Sequence, residues 1–372
     1  MRLQVERSEL TDAVAWTARS LPARPPVAVL AGLLLDTTGD GLTLSGFDFE
    51  VAANATVPAT VAEAGRAVVS GRLLAEITRS LPPAPVDLTT DGNRLVLSCG
   101  SSRFTLPTMP VEDYPQLPDL PPTAGRVTAS EFAQAVAQVV VAAGRDDTLP
   151  VLTGVRIEID GDRLTLAATD RYRLAVRELG WRPEGTDLPA AALVPARNVA
   201  EAARALSGTD EDVTIALSSA GAGGETLVGF SNSTRRTTTR LLDGEYPRYR
   251  SLIPDTHTAE ATIDAASLTD AVKRVSLVAQ RTSPVRLSFG SGQLLLEAGT
   301  GEDAQASETL EVSYEGEPLT IAFNPQFLLD GLGVLDSPSA RLTFTDPKRP
   351  AVMSGGEGTG YSYLLMPVRL SG

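Results

Sequence analysis

The sequence predicts an α+β fold of three similar domains, each made of two helix-plus-sheet modules. Three observations carry this. A helix-then-strands pattern starts three times, a second helix of the same kind recurs halfway through each third, and two proline-rich joints divide the 372 residues into nearly equal parts. Length points the same way, because single hydrophobic cores stop growing beyond roughly 250–300 residues. A content of 42% hydrophobic and 21% charged residues is that of a globular chain able to fill such cores.

The three starts are SELTDAVAWTARSLPARPPVAVLAGLLLDT from Ser8, SEFAQAVAQVVVAAGRDDTLPVLTGVRIEI from Ser130 and SLTDAVKRVSLVAQRTSPVRLSFGSGQLLLEA from Ser267. In each, the serine is expected at the N-cap, where its oxygen can accept from unpaired helix N–H groups. Apolar residues then recur at helical spacing, as in Leu10, Ala13, Val14 and Thr17. A basic residue and a proline-containing turn end each helix, and aliphatic runs with Gly-Asp or Ser-Gly turns read as strands. The second helices are expected over 70–81, 195–206 and 324–335, again followed by strand runs. The joints, 112–125 and 244–260, share a Tyr-Pro pair at 114–115 and 246–247, which marks them as equivalent. Domains are therefore expected over 1–122, 123–256 and 257–372. Modules of about 60 residues are small to stand alone, so pairs must share a core. Two copies meeting head to tail could close a ring.

Several function classes fall away. One cysteine, Cys99, leaves no internal disulfide, and MRLQVERSEL carries charges where a signal peptide needs an apolar stretch, so a cytoplasmic location is expected. No apolar stretch approaches the ~20 residues that span a bilayer. The single histidine, His257, stands in a proline-rich joint and reads as a solvated loop residue. Hydrolase, zinc and nucleotide motifs are missing from the sequence, and the glycine-rich 354–360 reads as a strand connection. The acid pairs Asp146–Asp147 and Glu302–Asp303 read as solvated turns. No enzyme activity, cofactor or metal is expected. The formal charge of −14 argues, by itself, against nucleic acid.

Taken together, the threefold repeat, the segment DTLPVLTGVRIEI…LAATDRYRLAVRE (147–178), the Tyr-Pro joints, the helix start FNPQFLLDGL and the terminal YLLMPVRL resemble the bacterial DNA sliding clamp, the beta subunit of DNA polymerase III. The resemblance spans the whole chain, with wording nearest to actinobacterial members. It implies a non-catalytic processivity factor: a head-to-tail homodimeric ring with helices lining a hole for double-stranded DNA, held without sequence specificity, and sheets outside. The implied partners are the polymerase alpha subunit, the clamp loader and other proteins with clamp-binding motifs, with no membrane. Charge agrees in sign, since the windows 8–24, 70–81, 130–145, 195–206, 267–281 and 324–335 hold ten Lys/Arg against seven Asp/Glu, and the remainder 22 against 39. A modest basic bias suits salt-sensitive sliding rather than base reading. DNA-facing candidates are Arg19, Arg24, Arg72, Arg79, Arg145, Arg197, Arg204, Lys273, Arg274 and Arg281, with Arg24 matching a DNA-facing family position.

The resemblance also implies a hydrophobic cleft for client peptides, which would explain an apolar chain end. Its residues would be Leu152, Thr169, Arg171, Tyr172, Arg173 and Leu174, then Pro247, Arg250 and Leu252 from the joint. Asn324, Phe327, Leu364, Met366, Pro367, Val368, Arg369 and Leu370 would complete it. Methionine adapts to many partners, and proline removes a strand donor. Arg171-Tyr172 stands where Gly-His is common in the family, and Thr282 where an aromatic residue can occur. At the dimer contact, Phe104 and Leu106 would meet the partner's Leu277. Two other readings fit the same sequence: a clamp paralogue with an inhibitor-tolerant cleft, and a monomeric peptide-binding repeat scaffold.

Overall fold

The structure, a computed structural model, describes residues 1–184, 190–208, 211–218, 226–279, 283–299, 304–356 and 358–369. Expectations for Arg281, Thr282, Glu302, Asp303 and Leu370 lie outside the described residues. Among those described, the six long helices are α1 (Arg7–Thr17), α2 (Gly71–Ser80), α3 (Ala129–Val140), α4 (Ala196–Leu206), α5 (Ala265–Val275) and α6 (Pro325–Gly333), one for each expected module.

Contacts divide the chain into two compact units. The first holds Met1–Ser130, Arg182–Asp187 and Glu201–Leu241, and the second holds Glu131–Trp181, Leu188–Ala200 and Leu242–Gly372. In the first unit a 14-stranded antiparallel sheet forms, in which Val51–Val57 pairs with Arg235–Arg240. The second unit has a nine-stranded sheet, in which Arg173–Gly180 pairs with Tyr361–Leu365, and a separate four-stranded sheet. Each of the two large sheets thus joins strands from different thirds of the sequence.

The strand Gly32–Asp36 shows why the sequence runs apolar without alternation. Leu33 and Leu35 enter a core with Leu10 and Val14 of α1, while Leu34 enters another with Val29, Phe47 and Tyr114. A strand covered on both faces needs no polar side. The expected helix face of Leu10, Ala13, Val14 and Thr17 is fully buried. Gly331 marks a close approach in the second unit: a Cβ there would lie 2.4 Å from Met353 Cε and 2.5 Å from the Tyr363 ring.

The expected serine caps are corrected. Ser8, Ser130 and Ser267 all lie inside their helices, because each helix follows closely on a strand and starts one or two residues before the serine. Ahead of α5 the cap is Asp264, whose carboxylate accepts the Ser267 N–H at 2.8 Å. Before α1 the N-cap is Glu6, without a side-chain bond. Asn324 does cap α6, accepting the Gln326 N–H at 2.9 Å with Pro325 at the first turn. The two Tyr-Pro joints are equivalent in structure as in sequence: the Tyr114 hydroxyl donates to the Ser45 carbonyl at 3.2 Å, and that of Tyr246 to Ala167 at 3.3 Å.

Candidate functional site

The site grows from the turn between the strands Arg163–Thr169 and Arg173–Gly180. One Asp170 carboxylate oxygen accepts the N–H groups of Tyr172 and Arg173, both at 3.0 Å. The Thr169 hydroxyl donates to the Arg173 carbonyl at 2.7 Å and accepts the Arg171 N–H at 3.2 Å. This bonding forces Arg171 into the left-handed region at φ 78°, where a side chain is disfavoured by roughly 1–2 kcal/mol. The tight turn throws Arg171 and Tyr172 outward, with Tyr172 57% exposed, and turns Arg173 inward.

Arg173 organises the floor. Its guanidinium pairs with Asp170 at 2.9 Å and with Asp330 of α6 at 2.5 Å, meets the Tyr363 hydroxyl at 3.3 Å, and lies 4.4 Å over the Phe327 ring. Burial opposes its charge, but the Tyr363 phenol and the Asp330 and Asp170 carboxylates outweigh that effect and hold the proton more firmly than on a free arginine. Burial pushes the Tyr363 hydroxyl above the usual phenol range, and it donates to the Phe327 carbonyl at 2.9 Å. Gln326 secures Asp330 from one helical turn earlier at 2.7 Å. Tyr172 and Phe327 stack with ring centres 6.3 Å apart. Between these groups and the segment after α3 opens a cavity of about 530 Å³, bordered also by Arg145, Asp146, Leu149 and Leu152. Its walls are mixed: Leu149, Leu152, Tyr172 and Phe327 give apolar and aromatic surface, and Arg145, Asp146, Asp170, Arg171, Arg173, Gln326 and Asp330 give polar groups that can orient a ligand.

The chain end lies beside this cavity. After the strand Tyr361–Leu365, the Met366 N–H donates to the Tyr172 carbonyl at 2.9 Å and the Val368 N–H to the Ala322 carbonyl at 2.8 Å. Pro367, which has no donor, falls between these anchors. Two backbone bonds hold the segment while Met366 and Val368 stay exposed. A second cavity, about 350 Å³, is bordered by Tyr246, Pro247, Tyr249 and Arg250. There Glu158 accepts from the Tyr249 hydroxyl at 2.9 Å and from Arg250 at 2.7 Å. Burial raises the Glu158 pKa, yet the Arg250 and Tyr249 bonds win and hold it below the usual carboxylate range.

The expected residues therefore separate by role. Leu152, Arg171, Tyr172, Arg173 and Phe327 border the larger cavity, and Pro247 and Arg250 the smaller. Leu252, Met366, Val368 and Arg369 are exposed, and Pro367 is partly so. Leu174 and Leu364 are 2% and 3% exposed in a cluster with Leu193 and Tyr246 and do not border either cavity. Thr169 is buried and fastens the turn. Leu106 is likewise core, 1% exposed beside Leu88 and Leu97, so it offers no surface to a partner. Phe104 is half-buried on that core, and Leu277 is 85% exposed. All nine described basic candidates are exposed. Arg145, however, borders the cavity, and Arg274 is held by Glu308 at 2.5 Å, which cancels its charge locally. His257 is half-exposed and meets Glu260 at 3.2 Å. Asp146 is fully solvated, and its bonds from Thr148 hold its pKa low.

Sequence reading alone misses Asp170, Asp330, Tyr363 and Gln326. The spacing Asp170-x-x-Arg173 carries a signal for the turn. Asp330 meets Arg173 across 157 residues, and no local pattern could show that.

Three consecutive stretches match the domains of one family. Residues 1–118 match the N-terminal domain of the DNA polymerase III beta subunit, 126–248 the central domain and 250–369 the C-terminal domain. The chain is 56% identical to the beta sliding clamp of Streptomyces coelicolor, covering 100% of both. It is 44% identical to the beta sliding clamp homolog GriR of Streptomyces muensis, over 99% of both. The crystal structure of a Pseudomonas aeruginosa sliding clamp bound to griselimycin superposes with a TM-score of 0.93 at 28% identity, covering 100% of both chains.

Proposed function

This chain belongs to the DNA polymerase III beta subunit family, and we propose that two copies join head to tail around double-stranded DNA and tether client proteins through the cleft built on Arg173. Family membership makes it a sliding clamp, a non-catalytic processivity subunit of the polymerase. The ring is supported by the six helices and by the reversal of charge sign between helix windows and the remainder, and Leu277, 85% exposed, is available for the contact the family resemblance implies. Phe104 and Leu277 are the accessible apolar groups for the contact between copies. Arg19, Arg24, Arg72, Arg79, Arg197, Arg204 and Lys273 are the cations offered to phosphates. Arg281 keeps that role on resemblance alone. Domains are proposed over 1–122, 123–256 and 257–372; the first boundary falls between the family matches ending at 118 and starting at 126, and the second lies inside the match that starts at 250. A cytoplasmic location accords with a described chain in which no helix is long and apolar enough to cross a membrane.

The client cleft rests on one observation: an apolar chain end fixed by two backbone bonds beside the Tyr172–Phe327 cavity. Its clients are the polymerase alpha subunit, the loader and other proteins bearing short apolar motifs. The larger identity to the Streptomyces coelicolor clamp, 56% against 44% for GriR, favours the housekeeping role over a specialised copy. Light scattering should return twice the 39.0 kDa chain mass. A strict monomer at micromolar concentration would refute the ring. For the cleft, Tyr172→Ala should weaken a client-motif peptide about tenfold, the loss of roughly 1.4 kcal/mol of aromatic contact. Unchanged affinity would contradict the assignment.

A further inference from the structure

The first unit repeats the turn that edges the cleft. Asp48 accepts the N–H groups of Glu50 at 2.9 Å and Val51 at 2.6 Å, as Asp170 does for Tyr172 and Arg173. Phe49 sits at φ 73° where Arg171 sits at 78°. The Arg240 N–H donates to the Glu50 carbonyl at 3.0 Å, repeating the bond from Met366 to Tyr172. Upstream, the Leu30 N–H meets the Val27 carbonyl as Leu152 meets Leu149. The backbone of the cleft edge is thus present twice.

The side chains differ. Where the cleft turn presents a cation, this turn presents an aromatic ring, 41% exposed, whose ring contact is with Phe47, edge-on at 5.5 Å. A phenylalanine in the left-handed region is held outward at a conformational cost, and such outliers concentrate where a protein binds something. Val27, on the loop equivalent to one wall of the cleft, is 51% exposed. Two acidic residues, Asp48 and Glu50, flank the ring in sequence. Exposed Glu112 and Asp113 stand on the short turn Val111–Asp113, joined through Val111 and Tyr114 to the cluster that holds Phe47. Arg24, near Val27, is an exposed cation on the same loop.

We propose that Phe49 centres a second docking surface, on the first unit, for a short linear client segment that pairs an apolar side chain with lysine or arginine. This rests on the reading that the Asp170–Arg173 turn edges a client cleft, since the two turns are equivalents. The two surfaces would differ in charge: arginines and aspartates are balanced around the first, with Arg145, Arg171 and Arg173 against Asp146, Asp170 and Asp330, while carboxylates predominate around the second.

The test is fluorescence anisotropy with the labelled hexapeptide KKLFKK and its acidic counterpart EELFEE. KKLFKK should bind wild type and Tyr172→Ala alike, weaken at least tenfold with Phe49→Gly and with Glu50→Lys, and exceed EELFEE at least tenfold. Phe49→Gly removes the ring while relieving the positive φ, so it should melt no lower than wild type, which separates lost binding from lost folding. No binding to wild type, or equal binding to wild type and Phe49→Gly, overturns the proposal. Loss of KKLFKK in Tyr172→Ala also overturns it, because the probe would then occupy the first cleft, whose own reading would survive.

Discussion

Two turns of the same construction, Asp48–Val51 and Asp170–Arg173, lead into the seams that join strands from different thirds of the sequence. Backbone bonding is the same in both, so the difference lies in the fourth residue and in the segment after the partner strand. Val51 starts a seam against Arg235–Arg240, whose Thr237, Thr238 and Thr239 are buried. Arg173 starts a seam against Tyr361–Leu365, which carries two buried tyrosines and leads into a chain end with apolar groups left exposed. One architecture thus serves as a joint in the first unit. In the second, one buried cation and a chain end turn it into a cleft. The site departs from its counterpart through side-chain chemistry placed on a shared backbone.

The largest expected effect comes from the fourth residue. Arg173→Met leaves Asp170 and Asp330 without their shared cation, and should destabilise the protein by about 3 kcal/mol in denaturant unfolding. Val51→Ala, at the equivalent place, should cost about 1 kcal/mol, the transfer and packing loss of a partly buried valine. Equal costs would erase the distinction between the seams.

A smaller effect sharpens it by pH. Glu158 titrates below its ordinary 4.5 in the folded chain, so its stabilisation is complete above that pH and is lost as the pH falls through the lowered folded value. Glu158→Gln should therefore cost about 1–2 kcal/mol at pH 7, with the difference from wild type closing under acid conditions. A gap that stays constant as the pH falls through the folded value would assign the effect to packing. Smallest of all, Arg171→Gly should raise stability by about 0.5 kcal/mol, the relief of positive φ less the backbone entropy of glycine. A loss of stability there would mean that the arginine side chain holds the turn.

Much of this architecture is legible in the sequence, for identifiable reasons. Periodic apolar spacing predicts the six helices, and the repeated Tyr-Pro pairs mark joints that make the same phenol-to-carbonyl bond. Helix caps are not legible in the same way, because each helix starts directly after a strand, so Asp264 and Glu6 take the places expected for serines. The burial of Leu106, Leu174 and Leu364 emerges only from the fold, because motif position cannot tell which face of a strand is covered. Asp330 and Tyr363 carry no local signal, since their partner Arg173 reaches them only through the fold.

The most direct measurement is the affinity of a client-motif peptide for wild type and for a chain lacking residues 366–372, with mass recorded on both. The account predicts that binding falls below detection in the shortened chain while its mass remains twice that of its own shortened chain. A shortened chain that binds the peptide as tightly as wild type would contradict it.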